Sequence, residues 1–161
     1  MDARRDAPFR SRHLIIDSVN VDAMNDTQYP TMSMWPTLLY DDAVAAIEFL
    51  TEAFGFTRSI VVTSDTDDSV IEHAQLRWPE GGGIMLGSAN RPDNAFSQRP
   101  IGHASVYLVT PDPDAVYDQA IARGATIFAA LVEHDYGSRG FSVTDPEGNI
   151  WSFGTYPGEP Q

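Results

Sequence analysis

Two stretches of this chain run through the same order of elements at a near-constant spacing, and that repetition restricts the fold more than any other feature. In the first, Trp35 to Tyr40 reads as a strand, and Asp41-Asp42 supply N-cap candidates and negative charge at a helix start. Ala43, Ala46, Ile47, Leu50 and Phe54 recur at helical spacing, with Gly55 as the stop. Three strand-like runs follow: residues 57–64, rich in β-branched side chains, then Ile71 to Trp78, then Ile84 to Leu86. The second stretch repeats the order, with a strand at Ala104 to Val109 and a helix opened by Pro111-Asp112-Pro113-Asp114. Ala115, Val116, Ala120 and Ile121 are expected to face the core, and Gly124 ends that helix. Strands are predicted at Ala125 to Leu131, Phe141 to Thr144 and Ile150 to Thr155. Gly55 and Gly124 lie 69 residues apart, Trp35 and His103 68 residues apart. One βαβββ unit buries a sheet face against its helix and leaves the opposite face open. The expectation is an α+β fold in which two such units stand side by side around a cavity.

The last two strands flank Asp145-Pro146-Glu147-Gly148-Asn149, in which Pro presets φ, Gly and Asn tolerate φ > 0, and Asp can bond the following backbone. This hairpin and the segment Tyr40 to Phe56 closely resemble the vicinal oxygen chelate superfamily, which includes glyoxalase I, the extradiol dioxygenases and the bleomycin-resistance proteins. The resemblance covers residues 34–156 and is strongest to the PhnB-like and bleomycin-resistance-like branch. It implies paired βαβββ modules forming an eight-stranded half-barrel: module one at about 34–87, a linker at 88–102 and module two at about 103–156. Residues 1–30 read as an extension and 157–161 as a tail.

Composition narrows the function. The formal charge is −13, with 23 acidic residues against ten Arg and no Lys. That balance disfavours nucleic acid and anionic membrane surfaces, which require basic patches, and it would attract a cationic ligand. Absence of Lys removes Schiff-base chemistry, and absence of Cys removes disulfides, thiolate ligands and Cys nucleophiles. No apolar run is long enough to cross a membrane, and the basic first residues lack the apolar stretch of a secretory signal, so a cytoplasmic location is expected. Eight Phe, six Tyr and three Trp suffice for a substantial core.

In metal-using members of the superfamily, the first and last strands of each module bring His, Gln or Glu ligands to the concave face. The resemblance maps the first of these positions onto Trp35 and the second onto the run Ile84 to Gly87. The third is His103, and the fourth, three residues after Asn149, is Ser152. One ligand in four makes a weak site, so no metal and no cofactor are expected. A set drawn from His73, His103 and Glu72 or Glu133 is the remaining way to build one. By the period of two, Trp35, Thr37 and Leu39 share one face of the first strand, and His103, Ser105 and Tyr107 share one face of the fifth; Ser152 points the same way. Trp78, Met85, Tyr136 and Phe141 are further candidates for cavity walls, while Trp151 and Phe153 are expected in the core. Arg139 pairs with Asp135 or with an anionic group of a ligand. Aromatic walls with few polar groups suit a flat or hydrophobic small molecule.

The resemblance therefore implies a metal-independent protein that binds a small organic ligand, with drug sequestration as one role and a homodimer as the usual assembly. Two alternatives stand beside it. One is an enzyme of the same superfamily, either metal-dependent or using His103 as general base. The other is a catalytically silent interaction module whose aromatic cup is only core.

Overall fold

Both helices begin where an Asp can satisfy the first free N–H groups. Asp42 accepts from the Ala45 N–H at 2.9 Å and opens α1 (Ala43–Phe49), and Asp112 accepts from the Ala115 N–H at 3.0 Å and opens α2 (Pro113–Ala122). Past α1 the chain continues as a π-helical turn (Leu50–Phe54) that buries Leu50, Ala53 and Phe54 before Gly55 leaves it at φ 87°. The computed structural model describes residues 14–15, 34–92, 94–135 and 137–159. The extension residues Arg4, Arg5, Arg10, Arg12 and His13, and the candidate wall residue Tyr136, lie outside the described residues.

The strands are β1 (Leu14–Ile15), β2 (Thr37–Tyr40), β3 (Thr57–Thr63), β4 (Ile71–Arg77), β5 (Gly83–Ser88), β6 (Ser105–Val109), β7 (Thr126–Glu133), β8 (Arg139–Thr144) and β9 (Ile150–Gly154). They form two sheets, ordered β1-β3-β4-β5-β2 and β6-β9-β8-β7. In each module the first strand runs parallel to the last, β2 beside β5 and β6 beside β9, and the other neighbours are antiparallel. The βαβββ repeat is thus present twice. No ladder joins β2 to β6, so the sheets stay separate and unclosed, and β1 adds a fifth strand to the outer edge of the first sheet. Among the described residues no helix is long and apolar enough to cross a membrane.

A single apolar core spans both modules. Leu38, Leu76, Ile84 and Leu86 of the first sheet and Leu108, Phe141, Val143, Trp151 and Phe153 of the second are all buried in one cluster with Phe54 and Phe56. Phe54 packs on Trp151 at 5.5 Å and on Phe153 at 5.0 Å, so the end of the first helical segment covers the second module's sheet. Each fully buried ring or branched side chain contributes roughly 1.5–3 kcal/mol. The expected inner face of α2 needs correction. Ala115 and Ile121 are exposed, whereas Pro113, Val116, Tyr117 and Ala120 pack inward. These four follow i, i+3, i+4, i+7, and the Tyr117 ring stands edge-on to Phe141 at 5.1 Å.

The modules are also joined by one buried polar knot. Asp145, 4 % exposed, accepts five hydrogen bonds: from the Tyr40 hydroxyl at 2.8 Å, from the Trp151 indole, from the Asn149 amide, and from the Glu147 and Asn149 backbone N–H groups at 3.0 Å. Beside it, the Glu147 carboxylate takes the Asp41 and Asp42 N–H groups at 2.7 and 2.9 Å. The closing turn of module two therefore holds the strand-to-helix junction of module one. Burial, and then the charge of Asp145, push the Tyr40 hydroxyl pKa far above its ordinary value of 10.0.

Asp145→Ala strands three buried side-chain donors and is expected to cost at least about 3 kcal/mol in urea unfolding, against roughly 1.5–3 kcal/mol for Tyr40→Phe. Because folding raises the Tyr40 pKa, its contribution is complete below pH 10.0 and is lost as pH rises above that value. Wild-type stability should fall there at about 1.4 kcal/mol per pH unit more steeply than that of Tyr40→Phe. Equal alkaline slopes would show that Tyr40 is not held by Asp145.

Candidate functional site

A cavity of about 280 Å³ opens where β2, the linker and the start of β6 come together, lined among others by Thr37, Leu39, Phe96, Arg99, Ile101 and His103. Its linker wall is folded rather than loose. Asn94 caps a 3-10 turn (Ala95–Gln98) by accepting from the Phe96 N–H at 2.9 Å. Ser97 is fully buried and its hydroxyl reaches the Arg91 and Asn94 carbonyls at 2.8 and 2.7 Å. With Ser97 turned inward, its neighbour Phe96 is turned out and is 76 % exposed. Further along, Gly102 sits at φ 69°, and a Cβ there would fall 2.3 Å from the Glu147 carbonyl oxygen. Only glycine lets the linker close onto the β8–β9 turn at that point. Asn149 completes the floor by accepting the Ala104 N–H at 3.1 Å.

Of the residues singled out by sequence, the structure brings Thr37, Leu39 and His103 together at this cavity. Others lie on the sheet faces away from the helices. Trp35 stacks on the Arg77 guanidinium, 4.4 Å from the ring centroid, with its ring against the backbone of Gly83. Met85 pairs in register with Thr37 and is half-buried. Ser105 and Tyr107 are exposed on β6. Tyr107 lies across Gly154; its hydroxyl donates to the Tyr156 carbonyl at 3.1 Å and accepts the Tyr156 N–H at 3.2 Å. Ser152 and Ser142 share a hydrogen bond of 2.8 Å.

Three expectations change. Trp78 is 4 % exposed, stacked among Phe56 and Phe153, and its indole donates to the Val109 carbonyl at 2.8 Å. It is a core side chain that ties β4 to β6, and Phe141, stacked on Phe153, is core as well. Arg139 pairs with neither Asp135 nor an open site: its guanidinium grips Asp114 through two bonds of 2.6 and 2.7 Å, linking β8 to α2. Sequence reasoning passed over Phe96, Arg99 and Ile101, because it treated the linker as a spacer. The available signal was an apolar and a basic residue presented by a Pro- and Asn-bounded loop between two rigid modules.

Among the described residues no group of three or more His, Asp or Glu side chains is arranged to hold a metal ion. Of the four ligand positions implied by the resemblance, only the third, His103, offers a donor suited to a divalent cation. The first carries Trp35 beside a guanidinium, the second has only apolar or backbone groups, and the fourth is the Ser152 hydroxyl already bonded to Ser142. His73 is engaged elsewhere: its ring nitrogen lies 3.0 Å from the Gln75 amide, and burial, followed by the nearby Arg91 charge, lowers its pKa. A neutral ring that accepts from Gln75 follows from both facts.

Comparison with known proteins bears on the fold. The family model described as Glyoxalase/Bleomycin resistance protein/Dioxygenase superfamily matches residues 34–153. The uncharacterised protein Rv0887c of Mycobacterium tuberculosis (strain ATCC 25618 / H37Rv) is 31 % identical over 141 residues, covering 83 % of this chain and 78 % of that protein. The crystal structure of TioX from Micromonospora sp. ML1 superposes with a TM-score of 0.63 at 28 % identity, covering 77 % of this chain and 98 % of TioX. A glyoxalase/bleomycin resistance protein/dioxygenase family enzyme from Burkholderia phytofirmans PsJN shares the fold at a TM-score of 0.55 and 20 % identity, over 74 % of this chain and 94 % of its own.

The Arg139 pairing carries its own check. Hydrogen bonds from Arg139 hold the Asp114 carboxyl below its ordinary value of 3.8. Carbon-detected NMR titration should show a lowered Asp114 midpoint that returns to the ordinary carboxylate range in Arg139→Met, with little loss of thermal stability because the pair is exposed. The contribution of the pair is present above pH 3.8 and is lost as pH falls through the lowered value.

Proposed function

This chain belongs to the Glyoxalase/Bleomycin resistance protein/Dioxygenase superfamily, and we propose that it binds a small, flat, largely apolar organic molecule in the cavity beside β2, without a metal ion. The observation that carries this reading is the composition of the cavity wall. Leu39, Phe96 and Ile101 supply apolar surface, Thr37, Arg99 and His103 supply isolated polar groups, and among the described residues no carboxylate lines the cavity. Phe96 is held outward at the cavity rim by the buried, bonded Ser97, which places its ring where a bound apolar body can lie against it. At about 280 Å³ the cavity suits a fused-ring compound rather than a long peptide. Sequestration of such a compound is the role that family membership and this wall together favour.

Assembly as a homodimer fits the same reading. The outer edge of β3 is covered by β1, whereas β7, its counterpart in module two, has no strand on its outer edge among the described residues. Ile127, Phe128 and Val132 of β7 are exposed by 47, 62 and 44 %. Residues 126–132 carry no charge in a chain whose net charge is −13, so a second copy can approach there without opposing carboxylates.

A thermal-shift screen against small fused-ring aromatic compounds, antibiotics among them, tests the binding. A true ligand at a hundredfold excess over Kd should raise Tm by roughly 5–10 °C, and Leu39→Trp, which fills the cavity, should abolish the rise. Chemical conversion of a ligand by the protein would replace sequestration with catalysis, and absence of any shift would leave a silent module. For assembly, sedimentation equilibrium should report a dimer that Phe128→Glu converts to monomer; a monomeric wild type refutes it.

A further inference from the structure

The charge of the whole chain and the charge of its cavity have opposite signs. Against a net charge of −13, the cavity wall carries Arg99 and His103 and, among the described residues, no acid. Among the other described arginines, all but Arg58 are engaged. Arg123 pairs with Glu52, Arg139 with Asp114, Arg77 lies on Trp35, and Arg91 donates to the Ser88 and Glu72 carbonyls. Arg99 engages no carboxylate among the described residues, although acidic side chains outnumber basic ones by 23 to ten in the sequence. Glu147, whose backbone carbonyl lies against Gly102, already has its carboxylate engaged by the Asp41 and Asp42 N–H groups. Asp41 itself accepts from the Asn90 amide at 3.3 Å.

We propose that this cavity selects an amphipathic organic anion, a flat apolar body bearing one carboxylate or similar group. The body lies against Leu39, Phe96 and Ile101, and the anion meets the Arg99 guanidinium with His103 as a second polar contact. The inference rests on the proposed binding function and specifies the ligand class for it. It runs against the cationic ligand that net charge suggests, because distant surface carboxylates are screened within about 8 Å at physiological salt while a guanidinium in contact is not. Arg also offers a fork of donors that matches a carboxylate, which an ammonium does not.

Three probes of one shape separate the possibilities: 2-naphthoate, its neutral isostere 2-naphthamide, and 2-naphthylmethylammonium, measured by isothermal titration calorimetry in 0.15 M salt. The expected order places naphthoate about tenfold or more tighter than the amide, with the ammonium weakest. Arg99→Gln should bring naphthoate and amide to within about threefold of one another while leaving the amide affinity unchanged; Arg99→Lys should keep part of the preference. Wild-type affinities that are equal for naphthoate and amide, or highest for the ammonium, overturn the anion assignment and leave the binding function standing. A preference that survives in Arg99→Gln also overturns it, since the anion would then be held elsewhere. Failure of all three probes to bind overturns both the assignment and the binding function. The wild-type comparison alone decides the sign of the charge, so the inference stays testable even if the variants fold poorly.

Discussion

The buried Asp145 carboxylate is the constraint around which the two modules are organised. A carboxylate removed from water must find donors, and this one finds them on both sides of the module boundary: Tyr40 from β2, and Trp151, Asn149 and two backbone N–H groups from its own hairpin. The turn is therefore more than a reversal of chain direction. Its Asp closes the interior knot and its Glu closes the exterior one on the α1 start, so one hairpin ties together two sheets that share no ladder. Around the knot, the rings of Phe54, Phe56, Trp78, Trp151 and Phe153 fill the space between the modules.

That junction also makes the cavity. Fixing the hairpin against β2 leaves a gap between β2 and the start of β6, and the linker folds over the gap. Asn94 and Ser97 give the linker a rigid turn, and Gly102 lets it press on Glu147. The wall is thus assembled from three chain segments remote in sequence, each held by its own hydrogen bonds. Of the family's metal positions only the third, His103, borders the cavity; at the first and fourth a stacked Trp35–Arg77 pair and a Ser142–Ser152 bond stand on the sheet faces.

Much of the fold was legible in the sequence, for identifiable reasons. Asp caps, αL glycines at Gly55 and Gly124, and period-two alternation are local signals, and the local structure obeys them. The errors came where local signals underdetermine direction. On α2, Ala115 and Ile121 are as apolar as Val116 and Ala120, and only the position of Phe141 decides that Tyr117 turns inward in place of Ile121. Trp78 ends a strand, where alternation loses its hold, and a carbonyl in the other module captured its indole. Arg139 had an acid four residues away at Asp135, yet Asp114 on α2 offered both oxygens in the right plane.

By itself, the sequence determined the doubled βαβββ order, the helix ends, the family, and the alternation that sets Thr37 and Leu39 on one face of β2. These follow from backbone preferences and side-chain periodicity, which act over a few residues. Tertiary structure alone decided that Asp145 is buried between modules, that Trp78 belongs to the core, and that Phe96 and Arg99 of the linker border the cavity. Those outcomes depend on which groups, far apart in the chain, are left to satisfy one another once water is excluded, and no local pattern encodes that choice.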